Sequence, residues 1–101
     1  MIIFKKSIGD VMKRIVITFG TFDVFHVGHL RLLERAKSLG EYLVVGVSTD
    51  KLNVEKKGRA PVYPQVERYE IVKALKCVDD VFFEESLELK GEYIKKAGAA
   101  M

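Results

Sequence analysis

The feature that most constrains this chain is the β-branched run Arg14 to Phe19 (RIVITF), which ends on Gly20 and leads into a segment with helical spacing. A short apolar run without polar alternation reads as a strand buried on both faces, as in a parallel sheet. From His29 the apolar residues recur at Leu30, Leu33 and Ala36, with Leu32 and Leu39 on the adjoining row, which is one face of a helix. Gly40 then stands where a helix C-terminal glycine belongs. Glu41 to Ser48 (EYLVVGVS) returns to a continuous apolar run. Strand, helix and strand in that order form a crossover unit, which predicts an α/β domain with a parallel sheet flanked by helices.

Thr49 to Tyr63 mixes glycine, proline and charges without a period, so an irregular connection that could act as a lid is expected there. Pro64 suits the first turn of a second helix, continued by Val66, Tyr69, Ile71 or Val72, and Leu75 up to Lys76. Val81 to Phe83 reads as a third strand, and Ser86 as the cap of a third helix running through Leu89 and Ile94 to Gly98. Residues 1–11 precede a second methionine, Met12, and read as an N-terminal extension to a domain over 12–101. In that extension Ile2, Ile3 and Phe4 suggest packing, while Lys5-Lys6-Ser7 suggests a disordered tail. Gly98-Ala99-Ala100-Met101 follows a helix where a parallel sheet would receive its next strand, so the domain is expected to be truncated at its C-terminus.

With 101 residues, 49% hydrophobic and 31% charged, the composition fits one globular domain and excludes a disordered or fibrous chain. No apolar run approaches the ~20 residues of a membrane span, and the start lacks a signal-peptide layout, so a cytoplasmic protein without membrane insertion is expected. Cys77 is the lone cysteine and lies near Leu75 and Val78, which reads as a buried structural thiol. No cysteine and histidine cluster has zinc-ligand spacing, and no protein-held metal is expected. The net charge of +3 is mild, but Lys56, Lys57 and Arg59 fall in one short stretch. That stretch matches a phosphate better than a nucleic-acid surface, which is usually more basic overall.

The chemistry concentrates between first strand and first helix, in Gly20-Thr21-Phe22-Asp23-Val24-Phe25-His26-Val27-Gly28-His29. Either histidine alone reads as a polar cap. Together they are the only two in the chain, three apart at a helix entrance, with Gly28 between them to allow close approach to the backbone. Helix N-termini attract anions through free amides and the macrodipole, and imidazole N–H donors add to that. The junction also falls at the carboxyl end of a strand, where open α/β sheets bind ligands. A polyphosphate is the expected ligand.

GTFDVFHVGH, with its HxGH core, followed by LRLLERAKSLGEYLVVGVSTD, resembles the cytidylyltransferases of the nucleotidyltransferase superfamily, most closely the glycerol-3-phosphate cytidylyltransferases. The resemblance runs from about Arg14 to Lys96. It implies a Rossmann-like nucleotide-binding domain, commonly dimeric, that transfers CMP from CTP to glycerol 3-phosphate with magnesium and releases pyrophosphate. It further implies that Gly20, Thr21 and Phe22 lie along the nucleotide phosphates and that His26 and His29 hold the β- and γ-phosphates. Asp23 would stand beside the reacting phosphates, Lys56 would contact the acceptor phosphate, and Lys57 or Arg59 would contact CTP. Arg68 matches an arginine opening the second helix, and Asp79 matches the family's RYVDE segment. Lys90 falls where a substrate-contacting lysine is found, although Leu87 replaces a tryptophan there. The family's later RTEGISTT-like segment has no counterpart in this chain.

Two other readings stay open. FAD synthetases of the archaeal type and phosphopantetheine adenylyltransferases share HxGH and use ATP, and Gly58-Arg59-Ala60-Pro61-Val62 with Ala74-Leu75-Lys76 is compatible with the former. A non-catalytic nucleotide-binding or dimerising module is the third.

Overall fold

A computed structural model describes residues 1–86 and 91–95. Its centre is a four-stranded sheet in the order β1-β2-β3-β4, formed by Ile2–Ile8, Val11–Gly20, Tyr42–Ser48 and Asp80–Glu84. β2, β3 and β4 run parallel, from Ile15↔Tyr42 to Gly20↔Val47 and from Val44↔Asp80 to Ser48↔Glu84. α1 (Val27–Ser38) links β2 to β3, and α2 (Asp50–Lys57) and α3 (Gln65–Lys73) link β3 to β4. The expected α/β architecture is present.

Successive strand residues point to opposite faces, so β2 and β3 each feed two cores. Val16, Leu43, Val45 and Val47 pack with Leu33 and Ala36 of α1 and Val72 of α3 on one face. Ile15, Ile17 and Val44 form the second cluster on the other face, joined by Ile2, Phe4, Phe19, Tyr42, Phe82 and Ile94. Burial on both faces explains why β2 and β3 read as continuous apolar runs rather than alternating ones.

Three expectations need correction. Residues 2–8 are not a tail: β1 pairs antiparallel with β2 from Ile2↔Ile17 to Ile8↔Val11, turning at Gly9. Its burial alternates, with Ile2 and Phe4 facing the second core and Ile3, Lys5 and Ser7 outward, so the Lys-rich text conceals an edge strand of a mixed sheet. Thr49 to Tyr63 is not wholly irregular. Thr49 Oγ1 accepts from Leu52 N at 3.1 Å and so caps α2, which ends at Gly58 in the left-handed region at φ 77°. A helix held by two buried residues, Leu52 and Asn53, has too little apolar periodicity to announce itself. Finally, α1 begins at Val27 with His26 as its cap, two residues before its apolar pattern starts. Residues 91–95 are helical, and the remainder of the expected third helix, including Leu87, Leu89 and Lys90, lies outside the described residues.

Leu33 is fully buried where α1 meets β2 and β3. Leu33→Ala should cost about 2–5 kcal/mol in urea denaturation, the range for a core leucine that leaves a cavity.

Candidate functional site

The HxGH segment builds its own geometry. His26 has extended backbone (φ −140°, ψ 177°), and its Nδ1 accepts from Gly28 N at 3.0 Å. His29 Nδ1 reaches back to accept from His26 N at 3.2 Å. This reciprocal pair takes the place of the usual Ser/Thr and Glu capping box. Gly28 is required by the ring of His26 more directly than by a ligand, since a Cβ at that position would lie 2.7 Å from the imidazole. The two rings sit 4.0 Å apart between centroids.

These bonds settle the chemistry the rings offer. A neutral imidazole accepts on one nitrogen and donates from the other, so Nδ1 acceptance places the proton of each ring on Nε2. Two Nε2–H donors therefore stand at the N-terminus of α1. Burial, together with the neighbouring His26, holds His29 below the usual histidine value against the opposing pull of Asp23. Near neutral pH His29 acts as a hydrogen-bond donor rather than as a cation.

The preceding residues carry strain. Phe22 and Val24 have φ of 53° and 45°, left-handed values that are costly for a bulky and a β-branched residue, and such strain collects at ligand sites. Asp23 between them secures the turn. Its Oδ1 accepts from Val24 N at 3.0 Å and Tyr63 N at 2.8 Å, and its Oδ2 from Val62 N at 2.7 Å. Burial alone would raise the Asp23 carboxyl, but the backbone donors of Tyr63, Val62 and Val24, with Arg68 nearby, bring it below the ordinary value.

A cavity of about 550 Å³ opens in front of this turn, lined among others by Gly20, Thr21, Asp23, His29, Lys57 and Arg59. A smaller lobe of about 330 Å³ shares Phe19, Gly20, Thr21 and Lys57 with it and adds Ser48, Lys56 and Glu84. Both lie at the carboxyl ends of the parallel strands.

Several residues singled out in the sequence are thus brought together: Gly20, Thr21, Asp23, His29, Lys57 and Arg59 at the larger cavity and Lys56 at the smaller; His26 and Gly28 belong to the cap of α1 and line neither. Phe22 lines the larger cavity but is 4% exposed, with its ring in the core. Thr21 Oγ1 donates to Asn53 Oδ1 at 2.8 Å, and Asn53, which the sequence reading passed over, is itself in the cavity wall. Its signal would have been a polar residue at a buried position of a short helix.

Two residues are placed elsewhere. Arg68 is fully buried beneath the site, where Nε donates to Tyr63 O at 2.9 Å, one terminal nitrogen to Thr21 O and Ser48 O at 2.8 and 2.7 Å, and the other to Asp50 at 2.7 Å. It supports the loops and is not on the cavity surface. Asp79 lies at the opposite, amino end of the strands, where it accepts from Leu43 N at 2.7 Å and pairs with Lys37. A strand of seven residues at ~3.3 Å each separates it from the cavities. Cys77 packs against the first core, and burial pushes its thiol above the ordinary value, as befits a structural residue.

Comparison with known proteins agrees with this fold. The cytidylyltransferase-like family profile covers residues 17–101. The chain belongs to the cytidylyltransferase-like family. Similar relatives include an FAD synthase of Thermococcus sibiricus, 47% identical over 81 residues that make up 80% of this chain and 55% of that protein. A glycerol-3-phosphate cytidylyltransferase of Bacillus spizizenii is 46% identical over 81 residues, covering 80% of this chain and 62% of the relative. Among solved structures, the lipopolysaccharide core biosynthesis protein from Thermoplasma volcanium superposes with a TM-score of 0.71 at 30% identity, over 80% of this chain and 66% of that one. The chain thus spans rather more than half the length of these curated relatives. No helix among the described residues is long and apolar enough to cross a membrane.

Two outcomes are expected from this geometry. Long-range ¹H–¹⁵N spectra at pH 7.5 should show both His26 and His29 as Nε2–H tautomers, with His29 titrating below 6.5; an Nδ1–H form of either ring would contradict the capping geometry. Arg68→Met should lower stability by about 3–5 kcal/mol in urea denaturation by leaving Asp50 and three carbonyls unpaired. Arg68→Lys should recover little of it, because a compact ammonium cannot span the same acceptors.

Proposed function

We propose that this chain carries the site of a nucleotidyltransferase that moves CMP from CTP to glycerol 3-phosphate, giving CDP-glycerol and pyrophosphate. The observation that carries the reading is His29 in the wall of a cavity that Lys57 and Arg59 also line, with the Nδ1 atoms of His29 and its neighbour His26 both engaged in the cap of α1. In this reaction an acceptor phosphate oxygen attacks the α-phosphorus of CTP, a new P–O bond forms, and the bond to the bridging oxygen breaks with pyrophosphate as leaving group. Little covalent help is required; the reactants must be held in line and the developing charge neutralised.

The residues divide that work. The Gly20-Thr21 backbone would run beside the α-phosphate, while His26 and His29 donate to the β- and γ-phosphate oxygens, most strongly as charge builds on the leaving pyrophosphate. Lys57 and Arg59 add positive charge from α2 and the following turn, and Lys56 meets the acceptor phosphate. The segment around Val62 and Tyr63, latched by Asp23, forms a wall that limits water and hence hydrolysis of the nucleotide. Asp23 is the one carboxylate among the described residues of the larger cavity, and backbone donors occupy both its oxygens. No group of three or more metal-ligating side chains occurs among the described residues. Magnesium would accompany the triphosphate as its counter-ion.

A second reading, ATP-dependent adenylyl transfer as in an FAD synthase, is favoured by one specific observation: relatives carrying that name match as well as the cytidylyltransferases do. Pyrophosphate release with CTP or ATP, each with and without glycerol 3-phosphate, separates the readings. Release needing CTP and glycerol 3-phosphate together is expected. His26→Ala and His29→Ala should each lower it by roughly 100-fold or more, the scale of losing an oxyanion donor. Preference for ATP decides for the second reading. Tight nucleotide binding without turnover in a folded sample decides for a binding module.

A further inference from the structure

The smaller lobe contains a carboxylate that none of the above uses. Glu84 ends β4, is 2% exposed, and its Oε1 accepts from Ser48 Oγ at 3.1 Å. Among the described residues that is its one side-chain hydrogen bond, and no lysine, arginine or histidine of them forms an ion pair with it. Burying a carboxylate with so little compensation is unfavourable, and natural folds keep such groups where a ligand completes them. Glu84 lines a lobe of about 330 Å³ shared with Ser48, Lys56 and Lys57. An adjacent carboxylate and two lysines suit a molecule that is anionic at one end and rich in hydroxyls at the other.

We infer that Glu84, supported by Ser48, recognises the hydroxyl groups of a small phosphorylated polyol whose phosphate is held by Lys56, with Lys57 standing between the two lobes. A carboxylate accepts hydrogen bonds from hydroxyls and repels phosphate, so it sets the orientation as well as the class of acceptor. The lobe's volume stands at the low end of ligand pockets, which matches a few-carbon molecule. Its position is suitable for transfer: the two lobes meet at Gly20-Thr21, so an acceptor in the smaller one approaches from a different side than the leaving pyrophosphate held at His29. The inference rests on the nucleotidyl-transfer reading for its place in a reaction, but not for the binding itself.

Binding measured by calorimetry tests it without requiring turnover. The wild-type chain should bind glycerol 3-phosphate about tenfold more tightly than propyl phosphate, which has the same anionic end and no free hydroxyls. Glu84→Gln and Ser48→Ala should each shrink that preference toward unity while propyl phosphate binding changes little. Circular dichroism reports folding of both variants, and either folded one suffices. Equal affinity of the wild type for the two esters, no binding of either, or a preference that survives the substitutions overturns the inference. CTP binding followed in parallel separates the two ideas. Loss of CTP binding and turnover with an intact Glu84-dependent preference would sink the transferase reading alone; CTP-dependent turnover without the preference would sink this one alone.

Discussion

The site depends on a single buried guanidinium. Arg68 rises from α3 and gathers the ends of β2 and β3, the start of α2 and the segment before α3, through Thr21, Ser48, Asp50 and Tyr63. An isolated buried cation would be severely unfavourable; here a carboxylate and three carbonyls satisfy it in the planar, forked arrangement that only arginine provides. Gln65 and Asp50 add a reciprocal pair of bonds on the same side, tying the beginning of α3 to that of α2. Loops at the carboxyl ends of parallel strands tend toward mobility, and this network makes their backbones part of the scaffold.

On that support the β2-α1 turn can afford its strain. Left-handed Phe22 and Val24 survive because Phe22 buries its ring in the core and Asp23 is bonded on three backbone donors. The strained turn delivers His26 to the cap position, and the cap bonds in turn decide the tautomer of both histidines. Sequence, backbone strain and proton position are thus links of one chain, which runs from a glycine that accommodates a ring to two Nε2–H donors at the N-terminus of a helix.

The strand-helix-strand unit and its HxGH junction were legible because they follow simple periods: β2 and β3 are buried on both faces, and α1 presents one apolar stripe. The parts that were not legible lack such periods for physical reasons. β1 is an edge strand with lysines on both faces, and its seven-residue register with β2 is a tertiary fact. α2 shows its signals only in Thr49 and Gly58, at its ends. Arginine is seldom fully buried, so the text around Arg68 does not separate a structural ion pair from a ligand contact. Asp79 was drawn toward the site by its motif, but its place before β4 puts it at the wrong end of the sheet. Lys90 lies outside the described residues.

Two buried ionisable side chains flank the end of β3, and they differ in how far the fold satisfies them. Both touch Ser48: Arg68 bonds its carbonyl oxygen, and Glu84 accepts from its hydroxyl. Arg68 places four of its five N–H groups on acceptors and is closed off from solvent. Among the described residues the Glu84 side chain has one bond, and it lines a lobe with two lysines in its wall. Burial alone would rank them alike, and charge alone would favour the arginine as the phosphate ligand. Counting bonds against bonding capacity reverses that ranking, because a group whose donors the fold has nearly all engaged holds the structure, while a carboxylate with one bond keeps acceptor capacity in hand.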